Sequence, residues 1–180
     1  MAHQRTLIRG AVVAQLLGAT AAGARVYPTR ILPLRRPELP VISVYTLEEA
    51  VTAASLATAP RELSRELPVM IEGWVAPGDN VDDAMDALAL EIETAMHADP
   101  YLADTAAESI LDSTVMEVVE DGDRMMGLVV LTYAVTYRTS APEATADMDD
   151  FLRMRSTQDL GGDVHEDIDA EDEFVVQEVA

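Results

Sequence analysis

Met125-Met126-Gly127-Leu128-Val129-Val130-Leu131-Thr132-Tyr133-Ala134-Val135-Thr136-Tyr137-Arg138 has the pattern of a long strand around which a sheet is organised. Leu131, Tyr133, Val135 and Tyr137 alternate with Val130, Thr132, Ala134 and Thr136, the period of two that sends successive side chains to opposite faces of a strand. At 14 residues it is long for a strand, and it is expected to anchor a sheet. Just upstream, Asp121-Gly122-Asp123 is a hairpin turn leading back to a partner strand over Ser113 to Glu120.

Working outward, Glu66 to Ala76 also alternates, with Val69, Ile71, Gly73 and Val75 on one side and Met70, Glu72 and Trp74 on the other. Trp74, the single tryptophan, reads as a large core side chain with its N–H bonded nearby. Pro77-Gly78-Asp79-Asn80 is a turn in which Asn80 is placed to cap the next helix, and Asp82 and Asp83 suit the positive end of its dipole. Met85, Leu88, Ile92 and Met96 then form a single apolar stripe, so this helix packs one face on the sheet. Asp99-Pro100 ends it, and a short segment around Tyr101-Leu102 follows.

Toward the N-terminus, Val41 to Tyr45 is apolar on both alternations except at Ser43, which fits a strand covered on both faces. Pro28, Pro33, Pro37 and Pro40 make the segment before it an extended, basic loop. Thr6 to Gly18 reads as a first helix, with Ile8, Val12 and Leu16 at helical spacing. An export signal competes with that reading, since Arg5 and Arg9 precede an apolar stretch and Ala22-Gly23-Ala24 has the small residues of a cleavage site. Gln15, Gly18 and Thr20 interrupt the apolar run and weigh against it. Between Thr46 and Arg65, Leu47, Val51 and Leu56 among alanines look helical, but Pro60 breaks the pattern; a projecting arm is the favoured reading.

Charge is distributed unevenly. Residues 1–40 carry six arginines and one acid, for +5, and the remaining 140 carry six arginines and 32 acids, for −26. Nucleic acid is held by counterion release to basic groups, so most of this surface is unsuited to it. Residues 141–180 contain 13 acids against Arg153 and Arg155 and form an acidic, largely extended tail after a domain spanning 1–140. Two apolar islands, Met148 to Met154 and Phe174 to Val176, leave open whether the tail docks on a neighbour or stays solvated.

Chemistry is sparse. The chain has no cysteine, which excludes disulfides, thiolate zinc sites and a cysteine nucleophile. His3, His97 and His165 have no metal-ligand spacing, and Asp163 to Asp169 lacks the glycine and terminal Glu of an EF-hand loop. No nucleophile elbow, phosphate loop or dinucleotide fingerprint is present. No run reaches the roughly 20 apolar residues of a membrane span. The expectation is a non-enzymatic interaction protein without cofactor or metal: an α/β (α+β) domain with a single mixed sheet of about four or five strands packed with helices.

The ordered blocks, namely a short N-terminal helix, Arg25-Val26-Tyr27, Leu39 to Tyr45, Glu66 to Pro77, a helix, and Leu131 to Tyr137, resemble the tail terminator family of long-tailed phages, the minor tail protein U family of lambda-like phages. The likeness covers roughly residues 4–140. It implies a homo-hexameric ring at the head-proximal end of the virion tail, assembled in the host cytoplasm. Such a ring caps the tail tube protein, stops tube growth and meets a head-completion or connector protein, with DNA passing through its lumen without specific binding. Alternatives are a head–tail connector or tail-completion protein of similar fold, and, in another class, an exported acidic α/β binding domain. Candidate interface residues are Arg30, Arg35 and Arg36 in the basic loop, Arg61 and Arg65 at the return of the arm, and Phe151 and Phe174 in the tail.

Overall fold

A computed structural model of the chain describes residues 2–29, 38–53, 62–76, 78, 80–121 and 124–140, and the backbone of 153–158 and 170–175. The first unit, Met1–Ala141, contains α1 (Gln4–Leu16), β1 (Val26–Pro28), β2 (Val41–Thr46), β3 (Ala50–Ala53), β4 (Glu62–Val75), α2 (Val81–Ala98), β5 (Glu108–Asp121) and β6 (Arg124–Ser140). The strands form one mixed sheet in the order β1-β2-β4-β6-β5, with β3 pairing β4 beyond the end of β2. The class is α+β. The sheet has six strands rather than four or five because β4 is long enough to carry two short neighbours on one edge: β2 pairs its Val69–Trp74 portion and β3 its Leu63–Glu66 portion.

The anchoring strand is β6. It pairs antiparallel with β4 from Ser140 to Gly127 and with β5 from Thr136 to Arg124. Its alternation is realised: Val129, Leu131, Tyr133, Val135 and Tyr137 enter the core with Leu67, Val69, Ile71 and Val75 of β4. Both helices cover this face. Ile8, Val12 and Leu16 of α1 and Met85, Leu88, Ile92 and Met96 of α2 are all buried there, as the stripe periodicity requires.

Two glycines on the covered face set how closely α2 approaches. A Cβ on Gly73 would lie 2.8 Å from Leu88 Cδ2, and one on Gly127 would lie 2.6 Å from Val75 Cγ2 and 2.8 Å from Val81 Cγ2. Their missing side chains let helix and sheet close to core density. On the other face Trp74 is half-buried, paired between Val41 and Leu128. The single tryptophan is therefore not a core residue of the helix-covered side, because its parity in β4 is opposite to that of Ile71 and Val75. On that same second face Val41 and Ser43 are nonetheless buried, which agrees with β2 being covered on both sides.

Element ends differ from expectation in several places. α1 stops at Leu16, and Gly18 takes φ 75° just past its cap, the left-handed conformation that ends many helices. Asn80 precedes α2 but makes no side-chain cap bond; Ala84 N–H donates to its backbone carbonyl at 3.3 Å. The C-terminus of α2 is capped from α1: the Gln15 amide donates to the carbonyls of Ala95, Met96 and Asp99 at 2.7, 3.1 and 3.1 Å. The link after α2 is a left-handed turn, with φ of 53°, 54° and 60° at Leu102, Ala103 and Asp104. Each such non-glycine residue costs about 1–2 kcal/mol. The Asp99 carboxylate offsets this by accepting from Tyr101 N–H (3.0 Å) and Ala103 N–H (2.7 Å), while Leu102 is fully buried.

The second unit, Pro142–Ala180, contains β7 (Arg153–Gln158) and β8 (Ala170–Val175), paired antiparallel. Met154 stands opposite Phe174, and Arg153 opposite Val175. Parts of the two apolar islands of the tail thus pair with each other.

Candidate interaction surface

The segment between β2 and β4 is a strand arm, not a helix, where it is described: Ala50–Ala53 pairs with Leu63–Glu66. Its base is fixed by one buried carboxylate. Glu49, with its side chain 6% exposed, accepts from Arg65 Nη1 at 2.6 Å and from the Tyr137 hydroxyl, and Arg5 Nη1 lies 3.8 Å away. Arg65 Nε also donates to Thr139 Oγ1 at 2.8 Å. The network joins α1, β4 and β6 to the start of the arm. Burial pushes the Glu49 carboxyl up, but hydrogen bonds from Tyr137 and Arg65 and the charges of Arg65 and Arg5 bring it below its ordinary 4.5. Burial and the bond to Glu49 push the Tyr137 hydroxyl up to about 12.

Within the subunit Arg65 is bound to both Glu49 and Thr139. A buried carboxylate needs its counter-charge and its hydrogen bonds, and Arg65 supplies both. Arg30, Arg35, Arg36, Arg61 and Phe151 lie outside the described residues, and Phe174 is described only as part of the β8 backbone.

A surface that the sequence reading did not single out lies on β5. Among the described residues this strand has β6 on one side and no partner on the other, so one row of its backbone N–H and C=O groups is unpaired within the described sheet. Its side chains are exposed on both alternations: Ile110 (54%) and Val115 (48%) on one face, Met116 (39%) and Val118 (43%) on the other. The reason is positional, since α2 packs on β4 and β6. A bulge between Leu111 and Ser113 interrupts the ladder, and Glu108, Asp112 and Glu117 are exposed along the strand. Bulges and charges on an edge guard against indiscriminate pairing. No basic residue lies within Glu108–Asp121. The signal available in the sequence was Ile110, Val115, Met116 and Val118 interspersed with acids in a strand beginning five residues earlier than the expected Ser113.

Among the described residues no three His, Cys, Asp or Glu side chains are grouped to hold a metal ion. No helix among them is long and apolar enough to cross a membrane. The Tyr133 hydroxyl, buried without a hydrogen-bond partner, is pushed up to about 12 by burial and by Glu93, so it stays protonated near neutral pH. No family model matches the chain, and no curated protein matches it.

Proposed function

We propose that the chain is a structural virion protein, a tail terminator whose homo-oligomeric ring, hexameric by resemblance, caps the tail tube and presents a surface to head-completion proteins. The observation that carries this reading is the edge strand β5, long and with exposed apolar side chains among its acids on both faces, at one border of a sheet whose opposite border is the short, proline-ended β1. Two unlike borders suit the heterologous contacts from which closed rings are built. The order of elements agrees with the resemblance: a helix, two short strands, an arm, a long strand, a second helix and a closing hairpin. The acidic surface suits a lumen that DNA traverses without adhering.

The reading as an exported domain cut near Ala24 is less well supported. Such a cut would take Ile8, Val12 and Leu16 of α1 out of the core. Electron microscopy and native mass spectrometry of the purified protein, alone and with a tail tube protein, test the proposal. Closed rings that cap tube ends are the expected result. A monomer under all conditions, with no ring on added tube, overturns it.

A further inference from the structure

The two borders of the sheet differ in charge as well as in length. At the β5 border Glu108, Asp112 and Glu117 are exposed among four exposed apolar side chains, and the strand has no basic residue. At the other border β1 ends at Pro28, and the chain runs from there to β2 through a stretch bearing Arg30, Arg35 and Arg36 against Glu38 alone. This is the most basic part of a chain whose net charge is −21. We infer that the edge of β5 left unpaired among the described residues is the docking surface for the basic, proline-containing stretch of residues 30–37 of a second copy of this chain, so that subunits join head to tail. The inference rests on the reading that the chain self-associates.

Three considerations select this occupant. Two β5 edges laid against each other would bring exposed carboxylates face to face, and like charges opposed across strands are destabilising. The tail after Pro142 is itself strongly acidic, with 13 carboxylates and two arginines in residues 141–180, so it is mismatched to the same edge. The same subunit's basic stretch is excluded by distance. Four strand spacings separate β1 from β5, about 19 Å. An excursion between Thr29 and Pro40, out and back, reaches about 19 Å only when fully extended, leaving no length to lie along β5. A second copy meets no such limit. Pro33 and Pro37 fix φ within the stretch, which lowers the entropy lost on docking. Arginine forks match the carboxylates.

Complementary charge reversal on the full-length chain tests the inference, with the midpoint of self-association read by sedimentation velocity and the fold checked by circular dichroism. One variant carries Arg35→Glu and Arg36→Glu, the other Glu108→Arg and Glu117→Arg. Each alone is expected to raise the midpoint by more than about tenfold, as loss of interfacial charge pairs does. Mixing the two is expected to restore association, because in an alternating assembly every junction is again complementary. Asp83→Arg with Asp86→Arg, which changes net charge as much on exposed positions of α2, is expected to leave the midpoint near that of the native chain. Native-like association in both reversal variants, failure of the mixture to recover, or an equal effect from the α2 control overturns the inference. Rings that form regardless of the reversals overturn the inference and leave the ring reading in place; restored association that builds open chains supports the inference and removes the ring. A native chain that is monomeric throughout overturns both.

Discussion

β4 and β5 are each 14 residues long, and each runs antiparallel to β6 along most of its length. From Leu67 to Val75, β4 alternates strictly between buried and half-buried positions, whereas from Asp112 to Val118 every residue of β5 is exposed. The same partner and the same length give opposite environments. The difference is position in the strand order: β4 has neighbours on both edges and α2 above it, while among the described residues β5 has β6 on one edge only. Burial is a property of the layers around a strand, and only secondarily of its own residues.

The row Gly73–Val129–Met116 makes the point residue by residue. Leu88 of α2 sits over Gly73, Val129 is fully buried, and Met116, on the same face, is exposed. Stability should therefore respond to substitution in β4 and hardly at all in β5. The largest expected effect is Ile71→Ala, which removes a fully buried side chain at the centre of β4 and is expected to cost about 2–5 kcal/mol in urea denaturation of the monomer. A loss below 1 kcal/mol there would mean that the core is looser than its packing implies.

Gly127 touches both sides of the comparison, paired with Val75 of β4 and Val118 of β5. Its missing Cβ would clash on the β4 and α2 side. Gly127→Ala is expected to cost about 1–3 kcal/mol through overpacking, seen as a lower thermal midpoint by calorimetry. No change would place the close approach of α2 in doubt.

The polar anchor of β4 sharpens the contrast in another way. Replacing the charged acceptor with Glu49→Gln is expected to cost about 1 kcal/mol at neutral pH, the difference between charged and neutral hydrogen bonds. The Glu49 carboxyl is held below its ordinary 4.5 in the folded state, so its contribution is complete above 4.5 and is lost as pH falls through the lowered value. Tyr137 is raised from 10 to about 12, so its contribution is complete below 10 and is lost as pH rises toward 12. Urea midpoints measured across pH are expected to fall at both ends; Glu49→Gln flattens the acid limb and Tyr137→Phe the alkaline one. An unchanged acid limb in Glu49→Gln would assign acid sensitivity to other carboxylates.

The smallest effect is expected for Met116→Ala and Val115→Ala, within about 0.5 kcal/mol in the same denaturation experiment on the monomer, as for exposed positions elsewhere. A cost above 1 kcal/mol in the monomer would show that β5 is covered within the subunit, and the two strands would then be alike after all.

Periodicity alone was enough for the long strand β6, for the core face of β4 and for the stripes of α1 and α2, because each buries one face and a one-sided pattern of apolar residues is visible at its own period. The two-sided burial of β2 was legible for the same reason. The base of the arm was not: Glu49, Arg5, Arg65 and Tyr137 are 16 to 132 residues apart in pairwise separation from Arg5 or Glu49, and only the fold brings them together. A sequence counts the charge of Arg65 without showing its partners Glu49 and Thr139.

Residue type is a poor guide at two positions. Tryptophan is usually buried and asparagine often caps a helix, but Trp74 is only half-buried on the second face of β4 and Asn80 makes no side-chain cap bond. Which residues alternate, which recur at helical spacing and where acids and arginines concentrate are all written in the chain, since these are local properties. Which strand became an edge was decided only by tertiary structure. Strand order depends on which pairings and helix contacts close together, and no local pattern distinguishes a strand with two neighbours from one still missing its second.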